Sequence, residues 1–365
     1  MDGYALRRER LVQQAQPLGV DGFFITNPTN VSYLTGFSGE ASYLLLGPKF
    51  TLLVSDGRFV TQLAEECPGL PCSIRPPSKT LPRAAMEQLQ QTGWKRIAME
   101  SGHLTVGDFE TYRSGLANVV WNPLPDAVEK LRMIKDEQEI QATRDAIRMA
   151  EKALQAFLGC LSIDDTEKDL HDRMELLMRQ EGAKCAAFPT IIGVGKRAAL
   201  PHAPPTAACV GQEEVLLVDW GADGGFYKSD LTRTFAPHKI SAKFAHVYKA
   251  VLKAQERAIA MLRPGVNGQA VYAEAHRALE EEGLAAFFTH GLGHGIGMHV
   301  HELPFMRPGH DVTLQAGMIV TVEPGVYLPE WGGVRIEDDV LITADGHEVM
   351  TRTVPKDLEQ ALLTW

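Results

Sequence analysis

An acidic residue interrupts the apolar β-type run VRIEDDVLI near the C-terminal end of the chain, where Glu337 follows Ile336. A charge buried without a partner is strongly disfavoured, so a fold that takes this run into a sheet must supply Glu337 with a counter-ion or a metal. The β-type run before it, IVTVEPG, closes on a second acidic residue, Glu323, and a Pro/Gly-rich connection joins the two. Asp338 and Asp339, which continue the acidic stretch, are expected to be ordinary solvated charges.

A further pair of acids lies upstream in EEVLLVDWGADGGFYKSDLTRTF, two β-type runs on either side of Gly224-Gly225. Gly-Gly suits the positive φ angles of a two-residue hairpin turn, and a hairpin centred there places Asp219 directly opposite Asp230. Directly opposed side chains have Cβ atoms roughly 5 Å apart, a spacing at which two carboxylates repel unless a cation lies between them. Surface hairpins also carry aspartates near their turns, so this pair alone leaves a solvated hairpin open. His290, His294, His299 and His301 then crowd into FFTHGLGHGIGMHVHELP, a density well above chance in a chain with 12 histidines. The glycines among them let backbone approach a site closely. This segment is no dinucleotide fingerprint, since G-x-G-x-x-G ends on Ile296 when started at Gly291 and on Met298 when started at Gly293.

Asp219, Asp230, His294, Glu323 and Glu337 together offer carboxylates and an imidazole whose summed charge two divalent cations balance. Oxygen-rich ligation suits Mn²⁺ or Co²⁺ better than a thiolate-type zinc site, although affinity alone also admits Zn²⁺. Two cations held this way acidify water and polarise a carbonyl, which is hydrolytic chemistry.

A chain of 365 residues is long enough for two domains. With 36 basic against 46 acidic residues and no Lys/Arg run with interleaved aromatics, nucleic acid is excluded as a partner and small neutral or zwitterionic substrates are favoured. The opening MDGYALRRERLVQQ reads as a charged helix without an apolar leader segment, and no later stretch reaches bilayer-spanning length. A soluble cytoplasmic protein without membrane association is expected. Cys67, Cys72, Cys160, Cys185 and Cys209 have no C-x-x-C spacing and are expected to be mostly small buried hydrophobes. Residues 19–60 read as short strands and turns (GFFIT, NPTN, YLTGF, YLLL, TLLV), followed by a helix over 82–91 and a strand over Arg96–Met99, a small α/β domain. Its end is marked by VVWNPLPDAVEKL, whose prolines break any regular element. Helical periodicity over 134–158 opens a second domain, with further helices over 167–181, 244–262 and 268–282.

At these positions the chain resembles the pita-bread metallopeptidases, the family of prolidase, aminopeptidase P and methionine aminopeptidase. The D-x10-D pair Asp219 and Asp230 followed by LTRTF, His294 of HGLGHGIG, Glu323 of VEPG and Glu337 of VRIEDD occupy the places of that family's metal ligands. The resemblance implies two divalent metal ions per chain, Mn²⁺ first. FPTIIGVGKRAALPHAPPT resembles the family segment whose histidine contacts substrate near the metals, which is His202 here. His301 of VHELP resembles the histidine that hydrogen-bonds the scissile carbonyl or shuttles protons, His290 shapes the same pocket, and Arg335 resembles an arginine that braces the ligand carboxylates. GFFITNPTNVSYLTGFSGE and LLVSDGRF are similar to the creatinase-type N-terminal domain, and LRMIKDEQEI to the start of the catalytic domain.

The implied architecture is a small creatinase-like N-terminal α/β domain over 1–126 and a pita-bread catalytic domain over 133–365. The implied activity is hydrolysis of Xaa-Pro bonds in small peptides with proline second, most of all by an Xaa-Pro dipeptidase, with Glu323 relaying the proton. An aminopeptidase P acting on longer peptides is the alternative, and a homodimer is implied. A creatinase-like amidinohydrolase or a non-catalytic binding protein of this fold would have lost ligands. Two positions depart from the pattern: His299, where relatives commonly carry an acid, and Pro189 in AAFPT, and both bear on substrate length.

Overall fold

The computed structural model describes residues 3–363, which form two compact units, one up to Arg132 and the other from Met133 onward. Met1, Asp2, Thr364 and Trp365, at the ends of the expected domains and of the expected first helix, lie outside the described residues. The first unit holds β1 (Gly22–Ile25), β2 (Tyr43–Gly47), β3 (Phe50–Asp56), β4 (Cys72–Arg75), β5 (Arg96–Met99) and β6 (Val120–Pro123). They form a mixed sheet in the order β4-β3-β2-β1-β5-β6, with β1, β2 and β3 antiparallel and the outer pairings parallel. Phe24, Leu45, Val54 and Ile97 on the sheet pack against Ala85 and Leu89 of the helix Leu81–Thr92. Burying a Phe, Leu, Val or Ile side chain in this way contributes about 1.5–3 kcal/mol relative to exposure.

Two expectations fail in this unit. The run YLTGF is not a strand but the second half of the helix Pro28–Thr35 and its cap. Asn27 accepts from the Thr29 amide as N-cap, Pro28 occupies the first turn, and Gly36 ends the helix at φ 80°, so NPTN starts a helix rather than a turn. The stretch expected to be irregular carries β6, which tolerates Pro123 because it lies at the edge of the sheet.

The second unit holds β7 (Cys185–Ala186), β8 (Ile191–Val194), β9 (Leu216–Trp220), β10 (Ala222–Asp223), β11 (Leu231–Phe235), β12 (Gly293–Gly295), β13 (Glu302–Met306), β14 (Ile319–Val322), β15 (Gly325–Leu328), β16 (Gly332–Arg335), β17 (Asp338–Ile342) and β18 (His347–Val349). They assemble as β11-β9-β8, β13-β12-β14-β17-β18 and the pairs β15-β16 and β10-β7. The helix Glu137–Leu158 begins in a capping box of Asp136 and Glu139 and buries Ala150, Leu154 and Phe157 against Leu216, Val218 and Trp220. The helices Ala242–Met261 and Gly268–Glu281 bury Val247, Val251, Val271 and Leu279 against Val320, Val322, Val340 and Ile342. Side chains alternate across a strand, so the residues between, Thr321 and Asp339 among them, point away from the helices. That side faces the acids of the hairpin, and Asp339 accepts from the Asp230 amide there.

Among the described residues no helix is long and apolar enough to cross a membrane. The cysteines are free, and only Cys67 is buried, whereas Cys72, Cys160 and Cys209 are exposed. The expectation of mostly buried thiols therefore fails: the three exposed ones sit at the first residue of an edge strand or in connections between elements.

Candidate metal centre

The hairpin that carries the first two acids is longer in its turn than Gly-Gly implies. Asp219 stands opposite Thr232, not Asp230, and Asp223 opposite Lys228. The Asp223 carboxylate accepts from the Gly225 amide at 2.8 Å and from Lys228 Nζ at 2.8 Å, which holds a four-residue loop over 224–227. Asp230 precedes Thr232 by two residues, so it stays on the face of Asp219, one diagonal step along the hairpin. Carboxylate oxygens of Asp219, Asp230 and Glu337 lie within 4.8 Å of one another.

Glu337 is brought to this pair by a bridge to Thr232, whose carbonyl accepts its amide at 3.1 Å and whose hydroxyl donates to Glu337 Oε2 at 2.6 Å. The same hydroxyl accepts from Arg335 Nε at 3.0 Å. Arg335 Nη2 donates to Asp219 Oδ2 at 2.5 Å and Nη1 to the Tyr327 hydroxyl at 2.8 Å, and that hydroxyl is 2.9 Å from His290 Nε2. One guanidinium thus orients acids from two different strand pairs.

His294 is placed by the sheet β13-β12-β14. A Cβ at Gly293 would come within 1.9 Å of the Thr321 carbonyl, and one at Gly295 within 2.1 Å of the Leu303 carbonyl, so only glycines let β12 lie this close to its neighbours. The His294 amide donates to Thr321 Oγ1 at 3.1 Å. Its Nδ1 lies 3.1 Å from the Gly295 carbonyl, leaving Nε2 facing Glu323 Oε1 at 3.3 Å and Asp230 Oδ2 at 3.7 Å. His301 packs edge-on to His294 with ring centroids 4.3 Å apart, near enough for its nitrogen to join a cluster with Asp230 and His294.

Asp338 and Asp339 are fully buried, contrary to the expectation of solvated charges. Asp338 meets Arg233, Gln255 and Lys356 on one face of β17, and Asp339 meets the Asp230 amide on the other, so groups from distant segments cover both. Burial pushes the Asp338 carboxyl up, but Arg233 and Lys356 outweigh it and hold it at about 2. Asp339 has no such cation: burial and then Glu337 raise it well above the carboxylate range, while its Oδ2 accepts from the Asp230 amide at 3.2 Å.

The acids and histidines open onto a cavity of about 630 Å³. Asp219, Asp230, His202, His290, His294, His301, Glu323, Arg335 and Glu337, the ligand and substrate-contact positions expected from the sequence, all line it. So does Pro189, whereas His299 is absent from the wall. The wall adds Phe188, Phe305, Arg307 and Tyr327, which the sequence did not single out. Tyr327 in PGVYLP and Arg307 in HELPFMRP sit beside the motifs, but neither has a spacing that marks it.

Residues 7–134 match the creatinase/prolidase N-terminal domain and residues 141–344 match metallopeptidase family M24. The chain belongs to metallopeptidase family M24. An Xaa-Pro dipeptidase of Pyrococcus furiosus is 32% identical over 95% of this chain and 98% of the relative. A solved Xaa-Pro dipeptidase from Bacillus anthracis superposes with a TM-score of 0.93 at 32% identity, covering 97% of this chain and 99% of the other. An X-Pro aminopeptidase from Thermotoga maritima superposes with a TM-score of 0.88, also at 32% identity, covering 96% and 99%. The mixed α/β architecture expected from the resemblance, a creatinase-like domain followed by a pita-bread catalytic domain, is the one present.

M24 metallopeptidases take divalent metal ions, and this cluster fits them. Burial first, then the neighbouring acids, raise Asp230 and Glu337 well above the carboxylate range, and burial raises Glu323 to about 8. Asp219 is raised by burial against the opposing pull of Arg335, and its Oδ1 has no hydrogen-bond partner among the described residues. Burial pushes His294 down to about 4, so it is a neutral imidazole with Nε2 turned to the acids. Acids held this close by a neutral imidazole and one arginine remain short of positive charge, which divalent cations supply.

Proposed function

We propose that this M24 peptidase is a metal-dependent Xaa-Pro dipeptidase, with Asp219, Asp230, His294, Glu323 and Glu337 holding two divalent cations. The observation that carries this reading is the convergence of carboxylates from the β9–β11 hairpin and from the ends of β14 and β16 around the neutral imidazole of His294. Full-length likeness to the Xaa-Pro dipeptidase of Pyrococcus furiosus supports the substrate class. Bound cations would acidify a water and polarise the carbonyl that precedes proline.

The chain's own residues do the rest. Glu323, at the cavity wall beside His294, takes the proton from the attacking water and returns it to the proline nitrogen, which has no N–H of its own while acylated. His301 donates toward the developing oxyanion and His202 contacts the leaving side. Arg335, tied to Tyr327, Thr232 and Asp219, fixes the direction of the acids.

Arg307 favours a dipeptidase over an enzyme of longer peptides. It lines the cavity, its guanidinium lies over the Phe305 ring at 4.9 Å, and it forms no ion pair among the described residues. An unpaired guanidinium in a cavity wall suits the carboxylate that ends a dipeptide. The reading extends to Mn²⁺ as the ion, supported by the oxygen-rich donors, and to a cytoplasmic homodimer, supported by resemblance. The purified chain, stripped with chelator and reloaded with each ion, should cleave Xaa-Pro dipeptides fastest with Mn²⁺ and cleave Xaa-Pro-Xaa peptides poorly. Faster cleavage of the longer peptide would overturn the dipeptidase reading.

A further inference from the structure

Glu167, the first residue of the helix Glu167–Gln180, is fully buried, yet among the described residues its side chain binds only one loop, over 194–206. Its Oε1 accepts from the Val194 amide at 3.0 Å and from Arg197 Nε at 2.9 Å. Its Oε2 accepts from Arg197 Nε at 2.8 Å, from the Thr206 amide at 2.9 Å and from Thr206 Oγ1 at 2.6 Å. Arg197 ties the loop a second time through Nη2 to the Pro204 carbonyl at 2.6 Å. Backbone bonds from Glu167 N to Ala208 O at 2.8 Å and from Lys168 N to Thr206 O at 3.0 Å fix the loop's far end to the same helix turn.

Between the tied ends lies His202. It is exposed toward the cavity and its ring makes no hydrogen bond among the described residues. Its place is therefore set by the loop backbone, and one carboxylate binds both ends of that backbone, beside the backbone bonds of Glu167 and Lys168 and the pairing of Val194 with Leu216. Burying a carboxylate is costly unless its lone pairs are filled, and here all the side chain's partners belong to the loop that carries a cavity residue.

We propose that Glu167 is a positioning residue for the peptidase reaction, holding the loop so that His202 meets the substrate. This rests on the reading of His202 as a substrate contact. A role in stability alone would leave the effects of Glu167 and His202 independent, whereas positioning makes them one effect.

The test uses the metal-loaded full chain as wild type, Glu167→Gln, His202→Ala and the double variant, with metal content recorded for each. Glu167→Gln and His202→Ala should each raise KM for an Xaa-Pro dipeptide about tenfold while kcat changes less than about threefold, and the double variant should match His202→Ala. Effects that multiply in the double variant, or a Glu167→Gln enzyme with wild-type KM, overturn the proposal. A wild-type KM in His202→Ala overturns the reading of His202, and the proposal with it. Thr206→Val removes one donor to Glu167 and the acceptor of the Ala208 amide while keeping the backbone bonds to Glu167 and Lys168, which covers the case in which Glu167→Gln does not fold. It should raise KM about two- to fivefold in the wild-type background and not at all beside His202→Ala; an unchanged KM in the wild-type background is the overturning result.

Discussion

Arg335 Nη2 lies 2.5 Å from Asp219 Oδ2, although the two residues are 116 positions apart and belong to different strand pairs. The same guanidinium reaches the Thr232 hydroxyl, and through it Glu337, so one side chain sets the direction of two acids. Replacing Arg335 by Lys removes the planar fork while keeping the charge. Metal affinity or kcat should fall about 10–100-fold, the usual effect of losing such an outer support. Metal analysis after dialysis, together with kcat, checks this; a variant with wild-type values of both contradicts it.

Thr232 is the link between Arg335 and Glu337, and Thr232→Val keeps its shape without its hydroxyl. Arg335 Nε then loses its acceptor and Glu337 Oε2 its donor, in a place water does not reach. Stability of the metal-free protein should drop by about 1–3 kcal/mol, read by denaturant unfolding. An unchanged midpoint would show that the hydroxyl is dispensable.

Without cations, burial raises Glu323 from 4.5 to about 8, and Asp219, Asp230 and Glu337 move the same way. A carboxyl whose pKa is higher folded than unfolded binds more protons when folded, so it favours the fold fully below about pH 4.5 and loses that contribution as pH rises to about 8. Cations reverse this by favouring the charged acids. The Tm gained on adding Mn²⁺ to chelated protein should grow from pH 4.5 to 8. A gain that shrinks across that range is the contrary outcome.

Much of the site was legible because its donors interrupt β-type runs, where an acid has few ways to be tolerated: Glu337 in VRIEDDVLI and Asp219 in VLLVDWG both reach the cavity wall. What escaped depends on facts no single run contains. Gly224-Gly225 reads as a two-residue turn, but the Asp223 side chain stabilises a longer one, which puts Thr232 rather than Asp230 opposite Asp219. Asp338 reads as solvated because its cations, Arg233 and Lys356, come from distant segments. Asn27-Pro28 reads as a turn, and the packing of the six helix residues from Asn30 to Thr35 makes it a helix start instead.

Arg307→Met tests the reach of the cavity. Loss of a charge-assisted contact to a terminal carboxylate should raise KM for an Xaa-Pro dipeptide about 10–100-fold and leave an Xaa-Pro amide nearly unaffected. Equal effects on both substrates would place the carboxylate elsewhere.

The cluster of Asp219, Asp230, His294, Glu323 and Glu337 is most directly tested by metal stoichiometry against activity, measured by elemental analysis of wild type and Asp230→Asn after the same loading. Wild type should bind about two divalent ions per chain and hydrolyse Xaa-Pro dipeptides, and Asp230→Asn should lose ion and activity together. Full activity in Asp230→Asn with no bound ion would contradict the metal centre itself.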